Sequence, residues 1–188
     1  MPAPPPLEIS VKARFTLFLC AFLATGANPV LADLKPGDKA PDFTTRASLN
    51  GKEFTYRLAD ALRQGPVVVY FYPQAFTKGC TVEAHLFAEA IDRFKAVGAT
   101  VIGVSNDAID VLNRFSASEC AGRFPVASDA DRRIMKGYDA VLFAGWADRI
   151  SYVVAPDGTV IYAYSAMSPD RHVENTLAAL REWRAKQQ

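Results

Sequence analysis

Residues 67–83 read VVVYFYPQAFTKGCTVE, a run of β-branched and aromatic residues that passes through a short loop into a helical pattern. Val67 to Tyr72 is apolar without alternation, the mark of a strand buried on both faces. Pro73 ends it, because proline has no N–H to give to a ladder. From Cys80 to Val97 the apolar residues Val82, Leu86, Phe87, Ala90, Ile91 and Phe94 recur at helical spacing. Gly98 stops that helix, and Thr100 to Val104 reads as a second buried strand.

Upstream, residues 33–50 (DLKPGDKAPDFTTRASLN) are rich in Pro, Gly and polar residues and read as an extended lead-in. Gly51 to Tyr56 forms a short strand, and Leu58 to Gln64 a short helix closed by Gly65-Pro66. Downstream, the pattern predicts a helix from Ala108 to Phe115 with Asp107 as its N-cap, a short strand from Phe124 to Ala127, and a helix from Asp129 to Tyr138. Ile150 to Ala155 and Thr159 to Tyr164 flank Pro156-Asp157-Gly158, the signature of an antiparallel hairpin. Pro169 to Ala185 is a closing amphipathic helix. This order predicts an α/β fold, a thioredoxin-like sandwich with a mixed central sheet and helices on both faces.

The chain has 188 residues, room for one domain, and 50% hydrophobic with 22% charged residues suits a soluble globular protein. Its 21 basic and 20 acidic residues give a net charge of +1, so nothing electrostatic points to nucleic acid or an anionic membrane surface as a partner. The N-terminus reads as a removable export signal. Lys12 and Arg14 precede the apolar run 15–25 (FTLFLCAFLAT), which falls short of the about 20 residues needed to span a bilayer. Val30-Leu31-Ala32 offers a cleavage site before Asp33. Cys20 follows Phe18 and Leu19, where a lipidation site would want small residues. The expectation is a signal peptide over 1–32, one domain over 33–188, export to a periplasm-like space, and no stable membrane contact after cleavage. A retained anchor is the alternative. Cys80 and Cys120 survive cleavage, and in an oxidising compartment two thiols suggest a disulfide, either structural or catalytic.

Cys80 stands just past the end of a buried strand, in the first turn of a helix. Ligand sites in open α/β sheets favour this edge. The helix start supplies unpaired N–H groups and a positive dipole end, which favour thiolate over thiol. The competing reading is a small buried hydrophobe, the commonest fate of a free cysteine. Thr77, three residues earlier, either shares a ligand bound at the sulfur or fills an N-cap. His85 lies a turn and a half beyond Cys80 on another face, and His172 reads as a solvated residue at the start of the last helix. Two separated histidines without Cys-x-x-Cys give no zinc spacing, and no Gly-rich phosphate loop is present, so neither metal nor organic cofactor is expected. The missing Cys-x-x-Cys also argues against a disulfide reductase or oxidase.

Pro73, Thr77 and Cys80 form P-x-x-x-T-x-x-C, which resembles the peroxidatic signature of the peroxiredoxins. The surrounding YFYPQAFTKGCTVEA is similar to their Q-type branch, the bacterioferritin comigratory protein group. The resemblance continues through Pro36-Gly37-Asp38-Lys39-Ala40-Pro41-Asp42-Phe43, Val101-Ile102-Gly103-Val104-Ser105 and Arg149-Ile150-Ser151-Tyr152. It implies that Cys80 is the peroxidatic cysteine, that Thr77 hydrogen-bonds the peroxide and that Pro73 shields and shapes the pocket. It also implies that Arg149 lies beside Cys80, holding the thiolate and polarising the O–O bond, a role that a fixed cation fits. Read without the family, Arg149 is a surface cation at a strand end. Glu83 matches an acidic position of the motif that orients arginine; taken alone it is a first-turn glutamate favoured by the helix dipole.

Many Q-type members carry a resolving cysteine five residues after the peroxidatic one, where this chain has His85. Others resolve through a cysteine in the later helix, so the resemblance points to Cys120. The function so implied is reduction of hydrogen peroxide and organic hydroperoxides by the Cys80 thiolate. A sulfenic acid forms, Cys120 resolves it, and a thioredoxin-like or other thiol reductant recycles the enzyme, a monomer or weak homodimer. The alternatives are a one-cysteine peroxidase, a non-catalytic redox sensor on the same fold, a permanent Cys80–Cys120 disulfide, and a cysteine hydrolase with His172 or His85 as base.

Overall fold

Alternate residues of the central strand β3 (Val67–Phe71) serve two separate cores. In a strand successive side chains point to opposite faces. Val68 and Tyr70 therefore pack with helices α2 (Lys78–Ala96), α3 (Ile109–Ser118) and α5 (His172–Ala185), while Val67, Val69 and Phe71 pack with α1 (Leu58–Leu62) and α4 (Arg133–Gly137). The computed structural model describes residues 1–3 and 34–187, so the expected signal peptide, its cleavage site and Cys20 lie outside the described residues.

The remaining strands are β1 (Thr44–Leu49), β2 (Lys52–Arg57), β4 (Thr100–Ser105), β5 (Val126–Ser128), β6 (Ile150–Val154) and β7 (Val160–Ser165). The seven form one sheet in the order β2-β1-β5-β4-β3-β6-β7. β3, β4 and β5 run parallel, and the other pairings are antiparallel. The mixed sheet with helices on both faces is the layout that the element order predicts.

Four readings need correction. The lead-in contains strand β1, paired with β2 from Thr44↔Arg57 to Leu49↔Lys52. Its fully buried side chains are Ala47 and Ser48, so no hydrophobic run announces it. Asp107 does not cap α3, whose N-cap is Ala108; its Oδ2 accepts hydrogen bonds from Ala75 N and Ser105 Oγ, both at 2.8 Å. The helix expected from Asp129 shrinks to α4. Arg132 stands at φ 60°, and the Asp129 carboxylate accepts from Ile134 N at 3.0 Å and Met135 N at 2.8 Å. Val82 is exposed, and the buried stripe of α2 runs instead through Cys80, Glu83, Ala84, Phe87, Ile91 and Phe94.

Register brings distant residues to one edge of the sheet. Phe71 pairs with Ile150, so Arg149, one residue before β6, arrives beside the loop that leads into α2. Ile150 also pairs with Ser165, which brings Ala166 and Met167 to the same edge. Ahead of Arg149, an isolated Val141–Ala147 bridge and a 2.7 Å bond from Leu142 N to Trp146 O close the preceding turn.

Gly103 pairs with Tyr70 across β3 and β4, and a Cβ there would fall 2.8 Å from the Tyr70 ring. Gly103→Ala should therefore destabilise the fold by roughly 1–3 kcal/mol, as overpacking does. Urea unfolding at equilibrium measures this, and an unchanged midpoint would contradict the packing argument.

Candidate active site

The loop from Pro73 to Thr77 delivers Cys80 to the third position of α2. Thr77 occupies the N-cap, but its hydroxyl donates to Gln74 O at 2.9 Å and makes no capping bond. The first-turn N–H groups are thus left without a side-chain cap, beside the sulfur. Thr77 is exposed, Pro73 is half-buried, and Cys80 keeps only 2% of its surface. Phe76 sits at φ 64°, a left-handed conformation that costs a bulky residue energy, with its exposed ring edge-on to Phe115 at 5.2 Å.

Arg149 is only 3% exposed, so it is not the surface cation that its local sequence suggests. Its Nη2 donates to Cys80 Sγ at 3.4 Å, its Nη1 to Glu83 Oε2, and its Nε to Met167 O at 2.9 Å. Acceptors on three sides fix the planar group in position and orientation. Glu83 lies three residues after Cys80 on the same helical face and is fully buried, more than a glutamate drawn to a helix dipole. Gly79 makes room for this arrangement: a Cβ there would stand 3.0 Å from Arg149 Nη2.

His172 is fully buried, which corrects its reading as solvated. Its Nδ1 lies 2.8 Å from Ser151 Oγ and 3.7 Å from Glu83 Oε1, and its Nε2 lies 2.9 Å from Ala166 O. The signal for its burial was its place in the stripe it shares with Val173, Thr176, Leu177 and Leu180. His85 is exposed and pairs with Glu119 at 3.1 Å. Neither imidazole is the sulfur's hydrogen-bond partner, so the geometry gives a hydrolase base no support.

Cys120 is a free, wholly buried thiol in the turn after α3, in the same core as the free thiol of Cys80. Burial pushes its pKa far above the usual thiol range. Tyr70 and Tyr72, with ring centroids 5.5 Å apart, share that core, and their phenols are pushed well up, first by burial and next by Cys120.

Burial also pushes the Glu83 carboxyl up, to about 8, against the pull of Arg149. A pKa raised above its unfolded value contributes stability that is complete below pH 4.5 and is lost as pH rises through about 8. The wild-type protein should therefore lose stability relative to Glu83→Gln between pH 5 and 9, by roughly 2–4 kcal/mol. Urea midpoints of both proteins across that range are the measurement, and a pH-independent gap would refute it.

The AhpC/TSA family matches residues 36–163 of the chain. Peroxiredoxin Q, chloroplastic, of Oryza sativa subsp. japonica is 34% identical over 161 residues, covering 84% of this chain and 72% of that protein. Its counterpart in Sedum lineare is 32% identical over 157 residues, 82% of each chain. Among solved structures, peroxidoxin BcpB from Mycobacterium tuberculosis matches with a TM-score of 0.72 at 30% identity, over 79% of this chain and 97% of that one. A PrxQ mutant from Xylella fastidiosa matches with a TM-score of 0.74 over 82% and 99%; at 24% identity that is a likeness of fold. The chain therefore belongs to the AhpC/TSA family, in which it is a peroxiredoxin of the Q type and so a thiol-dependent peroxidase.

Proposed function

We propose that the Cys80 thiolate reduces hydrogen peroxide and organic hydroperoxides, and that Cys120 resolves the oxidised sulfur. The observation that carries the reading is the 3.4 Å bond from Arg149 Nη2 to Cys80 Sγ inside a buried site. A guanidinium there stabilises the thiolate before reaction and charge on the departing oxygen during it. The sulfur attacks one peroxide oxygen, which keeps its hydrogen, the O–O bond breaks, and the other oxygen leaves and takes a proton from solvent as water or alcohol. The product is a sulfenic acid. Thr77, whose exposed hydroxyl now bonds only its own loop, turns to the peroxide, and Pro73 shapes the mouth. Glu83 orients Arg149.

Resolution requires the start of α2 to open, after which the Cys120 thiol displaces water from the sulfenic acid to form a disulfide. Three features support an easy opening: Thr77 leaves the helix uncapped, Gly79 weakens its first turn, and Phe76 is held left-handed. The high pKa of the Cys120 thiol supports its being inert until the core opens. A thioredoxin-like dithiol or another thiol then restores both cysteines by exchange. The complete burial of Cys120 favours a second reading, a one-cysteine peroxidase recycled directly by external thiol. The apolar run 15–25 behind Lys12 and Arg14 supports export to a periplasm-like space and a mature domain over 33–188.

One equivalent of peroxide, followed by mass mapping of cysteines in protein starting at Asp33, tests both steps. The expected product is a Cys80–Cys120 disulfide within one chain; a lasting sulfenic acid at Cys80 would remove Cys120 from the cycle. Cys80→Ser should lower peroxide consumption by a factor on the order of 10³ or more, as loss of a nucleophile does. Cys120→Ser should leave the first oxidation intact and slow only recycling. Consumption unaffected by Cys80→Ser would end the proposal.

A further inference from the structure

Arg149, one residue before β6, and Ser151 within it are two positions apart, and both are buried on the side of the sheet that carries α2 and α5. Both lead to His172. The Ala166 carbonyl can only accept, so the hydrogen of the 2.9 Å contact sits on His172 Nε2. Complete burial favours the neutral ring, which leaves a lone pair on Nδ1 to accept the Ser151 hydroxyl at 2.8 Å. The carbonyl beside Ala166, that of Met167, takes Arg149 Nε at 2.9 Å, while Ala166 N donates to Arg149 O at 3.2 Å. A closed circuit results: Arg149, the Ala166–Met167 backbone, His172, Ser151 and back along β6. The same imidazole lies behind the buried Glu83, whose Oε1 is 3.7 Å from Nδ1 and has no hydrogen-bond partner among the described residues. Asp148 and Tyr164 also lie near the ring, the Tyr164 ring meeting the imidazole edge-on at 4.8 Å.

We propose that His172, neutral with its hydrogen on Nε2, is a positioning residue of the Cys80 centre that fixes Arg149 through the Ala166–Met167 backbone. The inference rests on the reading of Cys80 and Arg149 as the peroxide-reducing pair. His172 does not touch the sulfur; it determines where the guanidinium stands. A misplacement of about 1 Å at such a group can cost about 100-fold in rate.

The test is the rate of Cys80 oxidation by hydrogen peroxide, with Cys80→Ser as the blank. His172→Leu should slow oxidation by roughly 10- to 100-fold. His172→Gln, which keeps an N–H able to reach Ala166 O, should recover a large part of that loss at a similar melting temperature. In an Arg149→Gln background His172→Leu should add no further loss, because coupled residues are not additive. Folded His172→Leu protein that reacts at the wild-type rate, a Gln variant as slow as the Leu variant, or additive losses would each overturn the proposal. Should the Leu variant fail to fold, imidazole ¹⁵N shifts of the wild-type protein decide: a neutral ring protonated at Nε2 supports it, and a charged or Nδ1-protonated ring overturns it. A wild-type protein whose Cys80 fails to oxidise would instead defeat the underlying reading.

Discussion

A single buried guanidinium organises this molecule's edge. Arg149 donates to a sulfur, a carboxylate and a backbone carbonyl, and these come from α2 and from the segment after β7. An ion pair removed from water loses its hydration, which attraction between the partners repays only with good geometry. The expense is tolerated here because the geometry fixes one cation against one sulfur. Glu83 shows the strain of the arrangement: even with Arg149 in contact, desolvation keeps its proton affinity high.

Rigidity behind the sulfur contrasts with weakness in front of it. Behind lie the β3–β6 ladder, His172 and the Ala166–Met167 backbone. In front, α2 begins without a side-chain cap, with glycine in its first turn and a left-handed phenylalanine just before it. Such a division suits a centre that must hold still during attack by one oxygen and then give up its secondary structure to meet a second thiol. The pair of functions is served by different sides of the same residue.

Much of the architecture was legible in local pattern, because Val67 to Phe71 and the Pro156-Asp157-Gly158 hairpin advertise themselves by β-branched and aromatic runs. β1 was not, since what it buries is Ala47 and Ser48, too small and too polar to register as a core. Cys80 stood out from its strand–loop–helix setting. Arg149 joined it only through resemblance, because it lies 69 positions from the cysteine and reaches it through the register of β3 with β6. His172 was misjudged for a similar reason. Asp170 and Arg171 make its immediate neighbourhood polar and masked the helical stripe behind it, and the elements that cover it, β6 and α2, lie far off in the chain.

The seal formed by the Val141–Ala147 bridge separates two kinds of freedom. The tip at Leu142 to Trp146 is fastened to itself, so its length and decoration can drift without tugging on the strand that follows. Beyond the seal that licence ends: one inserted residue in β6 would turn the guanidinium to the opposite face. Diversity in this region has a natural home on the outer side of that small clasp, where Trp146 already projects into solvent.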